Sequence, residues 1–154
     1  MLSVREKSFW GRAISYGTVF IQFLFLGLIA FTGPLIPHNL VAIVILLTGM
    51  FLGSWAIVTM QIGNFNIVPD VPDNGKMVAK GPYKYIRHPM YAAVLLTALS
   101  LVLNHFTPLR MILWLALLAD LILKMTYEEK LLSKHYREYS QYQQRTRRLI
   151  PFIY

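Results

Sequence analysis

The sequence predicts an all-α protein, a polytopic membrane helical bundle of about four transmembrane helices followed by a cytosolic C-terminal amphipathic helix. Of its 154 residues, 56% are hydrophobic and only 14% are charged, whereas about 25% charged residues is usual in soluble domains. Asp, Glu, Lys and Arg are all missing from residues 13–69. Glycines and prolines separate the apolar segments from one another. The length fits one domain, residues 1–154.

The first two apolar segments are Ile14–Phe31 and Leu40–Met60, and each approaches the roughly 20 residues that cross a bilayer core. A Gly-Pro pair at 33–34 breaks the chain between them. The first lacks a small-residue cleavage site and a second span follows at once, so we expect a retained span. Gly49 and Gly53 form a small-x-x-x-small pattern. It indicates either close helix packing or ordinary enrichment of glycine in membrane helices.

Two shorter apolar segments follow, Pro89–Leu103 and Leu109–Lys124. Pro108 is suited to the first turn of the fourth helix, where a missing N–H costs nothing. Beyond the fourth segment, apolar and aromatic residues recur at helical spacing. This periodicity predicts a separate amphipathic helix over Glu128–Gln144.

The distribution of the +8 net charge predicts the topology. Basic residues precede the first span, follow the second and follow the fourth, and they are sparse in the two intervening turns. Positive charge favours the cytosolic side, so we expect an integral membrane protein with both termini cytosolic, in a prokaryotic inner membrane. With this topology, we predict that the polar stretch Gly63–Lys80 forms an ordered cytosolic loop. Because no soluble module carries the basic residues, we expect no nucleic-acid partner.

The segment from Gly81 to Tyr91 concentrates polar chemistry at the start of an apolar run. It contains Arg87 and His88 directly before Pro89, which is suited to open a helix. Free N–H groups at a helix start favour an anion, so the segment predicts a seat for a charged cofactor or substrate. The alternative is an interfacial belt, since Tyr and cationic residues gather at membrane boundaries.

Two adjacent carboxylates, Glu128 and Glu129, follow the fourth apolar segment. On a helix they point about 100° apart, so one at most faces a shared site. Lys124 lies four residues before Glu128 on the same face, either as a functional pair or as a surface salt bridge of little energetic worth. His88 and Glu128 have no second His at ligand spacing and the chain has no Cys, so we expect no metal site.

Taken together, these motifs resemble the isoprenylcysteine carboxyl methyltransferase family, and the related phospholipid methyltransferases share much of the pattern. The resemblance covers about residues 63–151. Its elements are Gly81-Pro82-Tyr83, Arg87-His88-Pro89-Met90-Tyr91, Glu128-Glu129, Tyr139, Tyr142 and Arg148-Leu149-Ile150-Pro151.

The resemblance implies an integral membrane methyltransferase that uses S-adenosylmethionine. The implied cofactor-binding residues are Lys76, Met77, Val78, Tyr83, His88, Pro89, Met90, Tyr91 and Glu128. The helix start would hold the methionine carboxylate, and Glu128 would hold a cationic group. Lys124, Glu128 and Arg148 are the candidate catalytic residues.

One departure from the family concerns Lys124, which stands where many isoprenylcysteine enzymes place Arg to grip a substrate carboxylate. Lysine lacks the bidentate fork of arginine. Lys124 is expected to orient the polar head of the acceptor, and Arg148 is the next candidate for its anion.

Two functions follow from the resemblance, and a third is the alternative to it. The first is carboxyl O-methylation of a prenylcysteine-like substrate that enters from lipid at the cytosolic face. The second is N-methylation of a phospholipid amine such as phosphatidylethanolamine. The third, of another class, is a non-catalytic membrane scaffold or carrier. Lipophilic substrates and membrane lipids are the expected partners.

Overall fold

Five α-helices form the part of the chain that the structure, a computed structural model, describes: residues 9–60, 77–151 and 153–154. They are α1 (Phe9–Phe31), α2 (Leu40–Met60), α3 (Pro89–Asn104), α4 (Pro108–His135) and α5 (Tyr139–Arg145), with a 3₁₀ turn at Gly81–Lys84. Since these residues contain no β-sheet, the predicted all-α class is confirmed.

The apolar segments read from the sequence coincide closely with the first three helices. Helix α2 has the predicted bounds, α3 extends one residue beyond Leu103, and α1 begins five residues before Ile14. Asn39 starts α2 by accepting a hydrogen bond from the backbone N–H of Ala42 at 2.8 Å, an ordinary N-cap. Most of the predicted ordered loop, Gly63–Lys80, lies outside the described residues.

The predicted break after the fourth apolar segment is wrong. Helix α4 runs without interruption from Pro108 to His135, whereas we expected one helix to end at Lys124 and another to cover Glu128–Gln144. After Pro108 the stretch contains no Gly or Pro, and Lys, Met, Glu and Leu all favour the helix. A change from apolar to charged side chains therefore alters the surroundings of α4 without ending it, and α5 is a separate short helix.

Helix α2 packs closely on α3 through glycines. A Cβ added to Gly49 would lie 2.9 Å from Thr97 Oγ1 and 3.1 Å from the carbonyl oxygen of Ala93, and one added to Gly53 would lie 3.2 Å from Ala93 Cβ. The small-x-x-x-small pattern thus allows close approach of α3. Helix α1 packs on α4, so the four long helices of the described residues form two pairs, and both pairs line the site described below.

The outer surface of the described helices is strongly apolar. Large hydrophobic side chains project outward on α1 and α2, with Phe20 69% exposed and Val58 76% exposed. Among the described helices, α2 alone is both long and apolar enough to cross a membrane; the apolar parts of α1 and α3 are shorter. That four helices cross the membrane stays a prediction.

Candidate functional site

The site begins at a turn that requires glycine. Gly81 has a φ of +53°, which side-chain-bearing residues rarely adopt. A Cβ there would lie 2.6 Å from Thr59 Oγ1 and 3.1 Å from Trp55 Nε1. Gly81 therefore places the 3₁₀ turn directly against the end of α2 and directs the chain toward the start of α3.

The C-terminal segment pairs with the backbone that enters α3. The backbone N–H of Arg87 donates to the carbonyl of Arg147 at 2.7 Å, and that of His88 donates to Arg148 at 3.0 Å. In return the N–H of Arg147 donates to the carbonyl of Tyr85 at 3.1 Å. Because the segment before a helix has no intrahelical hydrogen bonds of its own, this pairing fixes the direction of the two side chains at 87 and 88.

Glu129 is the centre of a buried ion-pair network behind this segment. Its carboxylate is 5% exposed and accepts from Arg87 Nε at 2.7 Å and from Arg148 Nη2 at 3.0 Å. Glu129 lies beyond the apolar part of α4. Burial opposes its ionisation, but hydrogen bonds from His88 and Arg87 and the charge of Arg87 outweigh burial and lower the pKa of Glu129 to about 2.

His88 stands between the two carboxylates. Its Nδ1 lies 3.5 Å from Glu128 Oε2, and its Nε2 lies 3.3 Å from Glu129 Oε1. Which ring nitrogen donates depends on the tautomer of the imidazole. The ring also stacks on Tyr91, with centroids 5.5 Å apart, and the Tyr91 hydroxyl donates to Glu128. The two carboxylates thus differ in role: Glu128 faces Tyr91, and Glu129 faces the arginines.

Lys124 has a partner that the sequence did not indicate. Its ammonium donates to Gln22 Oε1 on α1 at 2.9 Å and lies 5.1 Å from the centroid of the Tyr91 ring. The described residues show no ion pair between Lys124 and Glu128, although they share a face of α4. Asp120, one turn earlier, is buried with one carboxylate oxygen unpaired among the described groups. The functional Lys124–Glu128 pair considered from spacing is therefore not formed as a direct contact.

A cavity of about 620 Å³ collects most of these side chains, within the range usual for small-molecule sites. It brings together seven of the residues predicted to bind the cofactor or to act in catalysis: Tyr83, His88, Pro89, Met90, Tyr91, Lys124 and Glu128. Met77, Val78 and Arg148 are not among its lining residues, and Lys76 lies outside the described residues. Apolar groups of α1, α2 and α3 complete the walls.

The sequence reading missed two residues of the site, Gln22 and Arg87. Gln22 is the lone amide side chain in the apolar run of residues 14–31, and a polar residue there is costly unless it has a partner. That solitary position was the available signal. Arg87 was noticed within its motif but not as the partner of Glu129, which is 42 residues away and unreachable from local spacing. Within the described residues, no group of three or more potential ligands is arranged to hold a metal ion.

Comparison with known proteins places this site in a class. The phospholipid methyltransferase family model matches residues 37–139, which is more than half of the chain. The chain therefore belongs to the phospholipid methyltransferase family. The match includes the 3₁₀ turn, α2, α3 and α4 but leaves out α1. No curated protein sequence matches the chain.

A solved structure shares the fold. It is the eukaryotic intramembrane Ras methyltransferase ICMT, isoprenylcysteine carboxyl methyltransferase, with a TM-score of 0.60 and 23% sequence identity. The alignment covers 99% of this chain and 55% of the other, so this chain spans about half the length of that enzyme. The likeness shows that the two proteins share a fold over nearly the whole of this chain.

Proposed function

We propose that this protein transfers a methyl group from S-adenosylmethionine to a lipophilic acceptor, and that the acceptor is a prenylcysteine-like carboxylate. The observation that carries the proposal is the cavity, whose polar lining includes Glu128, His88 and Tyr91 together with Lys124. The remaining lining is largely apolar. A cationic cofactor and an anionic, lipid-like acceptor would thus find opposite charges within one enclosure.

The residues present fit the cofactor. The Tyr83 hydroxyl is buried without a hydrogen-bond partner among the described residues, and Tyr83 lines the cavity. Burial is the main cause that raises the pKa of Tyr83. The hydroxyl therefore stays protonated and is able to donate a hydrogen bond to a ligand. The carboxylate of Glu128, which lines the cavity, suits a cationic group of the cofactor. Tyr83, His88, Pro89, Met90, Tyr91 and Glu128 would hold the cofactor.

S-adenosylmethionine, when bound, supplies an electrophilic methyl group. The chain's own residues then have to align the acceptor and exclude water. The apolar lining residues Ala93, Leu26 and Val94 help to exclude water, and Lys124 is placed to hold an acceptor anion. A carboxylate acceptor loses no proton in the transfer, so no general base is required.

N-methylation of a phospholipid amine is the second candidate, because the matching family model describes phospholipid methyltransferases. An amine acceptor has to lose a proton, and Glu128 and His88 are the titratable groups beside Tyr91 that are able to receive it. The Lys124 ammonium would then face the phosphodiester of the same lipid. A scaffold without catalytic activity would bind no S-adenosylmethionine, which separates it from both enzymes.

The proposal is tested by isothermal titration calorimetry of S-adenosylmethionine with the full chain in detergent, alongside methyl transfer to a prenylcysteine analogue and to phosphatidylethanolamine. Wild-type protein should bind saturably and methylate the prenylcysteine analogue. Tyr91→Phe removes the hydroxyl that donates to Glu128 and should weaken cofactor binding several-fold. His105→Ala, at an exposed position between α3 and α4, is the matched control and should bind like wild type. Absence of saturable binding to wild type would refute the enzyme assignment.

We further propose that four helices cross a prokaryotic inner membrane and leave both termini in the cytosol. The strongly apolar exterior of α1 and α2 supports a position in the membrane. The excess of basic residues around Lys80 and around Arg148 supports this orientation. A fluorescent reporter fused after Tyr154 should therefore be active, and an alkaline phosphatase fused there should be inactive. Phosphatase activity at that position would contradict the topology.

A further inference from the structure

Gln22 is a buried polar residue that belongs to none of the sequence motifs and lies outside the family match. It lies on α1, outside the matched residues 37–139, and is 7% exposed. Its amide oxygen accepts the hydrogen bond from Lys124 Nζ at 2.9 Å. Both side chains line the cavity. The contact therefore joins a helix outside the matched region to a candidate acceptor-binding residue.

The chemistry of this contact fixes the direction of the amide. An ammonium group donates and never accepts, so the oxygen of Gln22 has to face Lys124 and the NH₂ group has to point away. No hydrogen bond from this NH₂ group occurs among the described residues. On Lys124, one N–H is directed to Gln22 and the ammonium also lies against the Tyr91 ring. Donors therefore remain on both residues.

We propose that Gln22 and Lys124 together form a two-donor site for the oxyanion of the acceptor. This inference rests on the proposed methyl transfer. Arginine presents two parallel donors to a carboxylate from one planar group, and lysine alone does not. Here the Gln22 amide supplies the second donor beside the Lys124 ammonium. The oxyanion recognised has two terminal oxygens, as in the carboxylate of a prenylcysteine or the phosphodiester of a phospholipid.

The carboxylates nearest Lys124 on α4 are Glu128 and Asp120. Glu128 lines the cavity, but it accepts from the Tyr91 hydroxyl and lies 3.5 Å from His88 Nδ1, so it has partners other than the Gln22 and Lys124 donors. Asp120, the nearest carboxylate earlier on α4, is not among the residues that line the cavity, so it does not stand between the donors and a ligand. Phe23 and Leu26 flank Gln22 on the cavity wall and offer a surface for an apolar chain. An amphiphile with an anionic head is the class of ligand that these contacts favour.

Gln22→Glu is the decisive variant, because it separates this role from a purely structural one. Glutamate keeps an oxygen for Lys124, so a residue that only satisfies the ammonium would tolerate the change. The NH₂ donor is lost, however, and a negative charge is added beside the ligand. Binding is measured by calorimetry in detergent with S-adenosylhomocysteine present, which prevents turnover. The probes are a farnesyl thioether carboxylic acid, its carboxamide and lysophosphatidylethanolamine.

Wild type should bind the carboxylate about tenfold more tightly than the carboxamide, since a hydrogen bond to a charged group contributes roughly 1.5–3 kcal/mol and about 1.4 kcal/mol is tenfold. Gln22→Glu and Gln22→Leu should remove this preference, and Lys124→Arg should restore it in the Gln22→Leu background. Leu24→Ala, at an exposed neighbouring position of α1 that does not line the cavity, should leave it intact. Dependence on Gln22 for lysophosphatidylethanolamine alone would identify the oxyanion as the phosphodiester.

Gln22→Glu protein that binds all three probes as wild type does would overturn the inference. Since the binding assay involves no turnover, it separates the two claims. Loss of carboxylate preference in a protein that methylates no acceptor would refute the methyl transfer and leave the oxyanion site standing. If Gln22→Glu protein transfers methyl groups with an unchanged acceptor KM, the proposed activity is supported and the proposed oxyanion site is refuted.

Discussion

Glu129→Gln should lower the free energy of unfolding by about 3–5 kcal/mol, the usual cost of removing one partner of a buried ion pair. The carboxylate accepts from Arg87 and Arg148, and the Arg87 side chain is only 10% exposed, so its charge would be left buried without a counter-ion. Denaturant titration in detergent, followed by intrinsic fluorescence, measures the loss.

Glu138→Gln is the matched control, because Glu138 is an exposed carboxylate on the same end of the molecule. It should change the free energy of unfolding by no more than about 0.5 kcal/mol. Equal stability of the Glu129 and Glu138 variants would show that the network around Arg87 contributes nothing to the fold.

The same network predicts a dependence of stability on acid. The folded-state pKa of Glu129 is lowered to about 2, below the value of about 4.3 for an unfolded glutamate. Unfolding therefore takes up a proton in this range, and the stability that Glu129 contributes is present above about pH 4.3 and is lost as the pH falls toward 2. Glu129→Gln should lack this part of the acid dependence.

Glu128→Gln should leave the fold intact and reduce the affinity for S-adenosylmethionine at least about tenfold, since a hydrogen bond to a charged group contributes roughly 1.5–3 kcal/mol. Glu128 lines the cavity, whereas Glu129 does not. Glutamine keeps an oxygen that accepts from the Tyr91 hydroxyl, so the packing survives while the negative charge is lost. Calorimetry with the cofactor and a thermal unfolding curve on the same sample separate the two effects.

The opposite result is that Glu128→Gln binds the cofactor normally while Glu129→Gln folds but does not bind it. That result would show that the roles of the two carboxylates are reversed. Measuring both variants side by side makes this outcome visible, because each serves as the control for the other.

The sequence determined the apolar helices and the residues around which the site forms. The bounds of α2 and the starts of α3 and α4 follow from local causes: runs of apolar side chains, prolines at 89 and 108, and turn residues between them. The resemblance, carried by residues 81–91 and the pair at 128–129, indicated the family that the comparison confirms. Hydropathy and turn chemistry act between near neighbours, so they are readable from the chain alone.

The tertiary structure decided which of these residues meet. Lys124 turns to Gln22, 102 positions away, and not to Glu128, one turn along its own helix. The roles of the two adjacent carboxylates differ because α4 continues to His135 and presents Glu129 to the returning C-terminal segment. Burial and charge pairing between distant segments set these contacts, and no periodicity within one segment records the position of another.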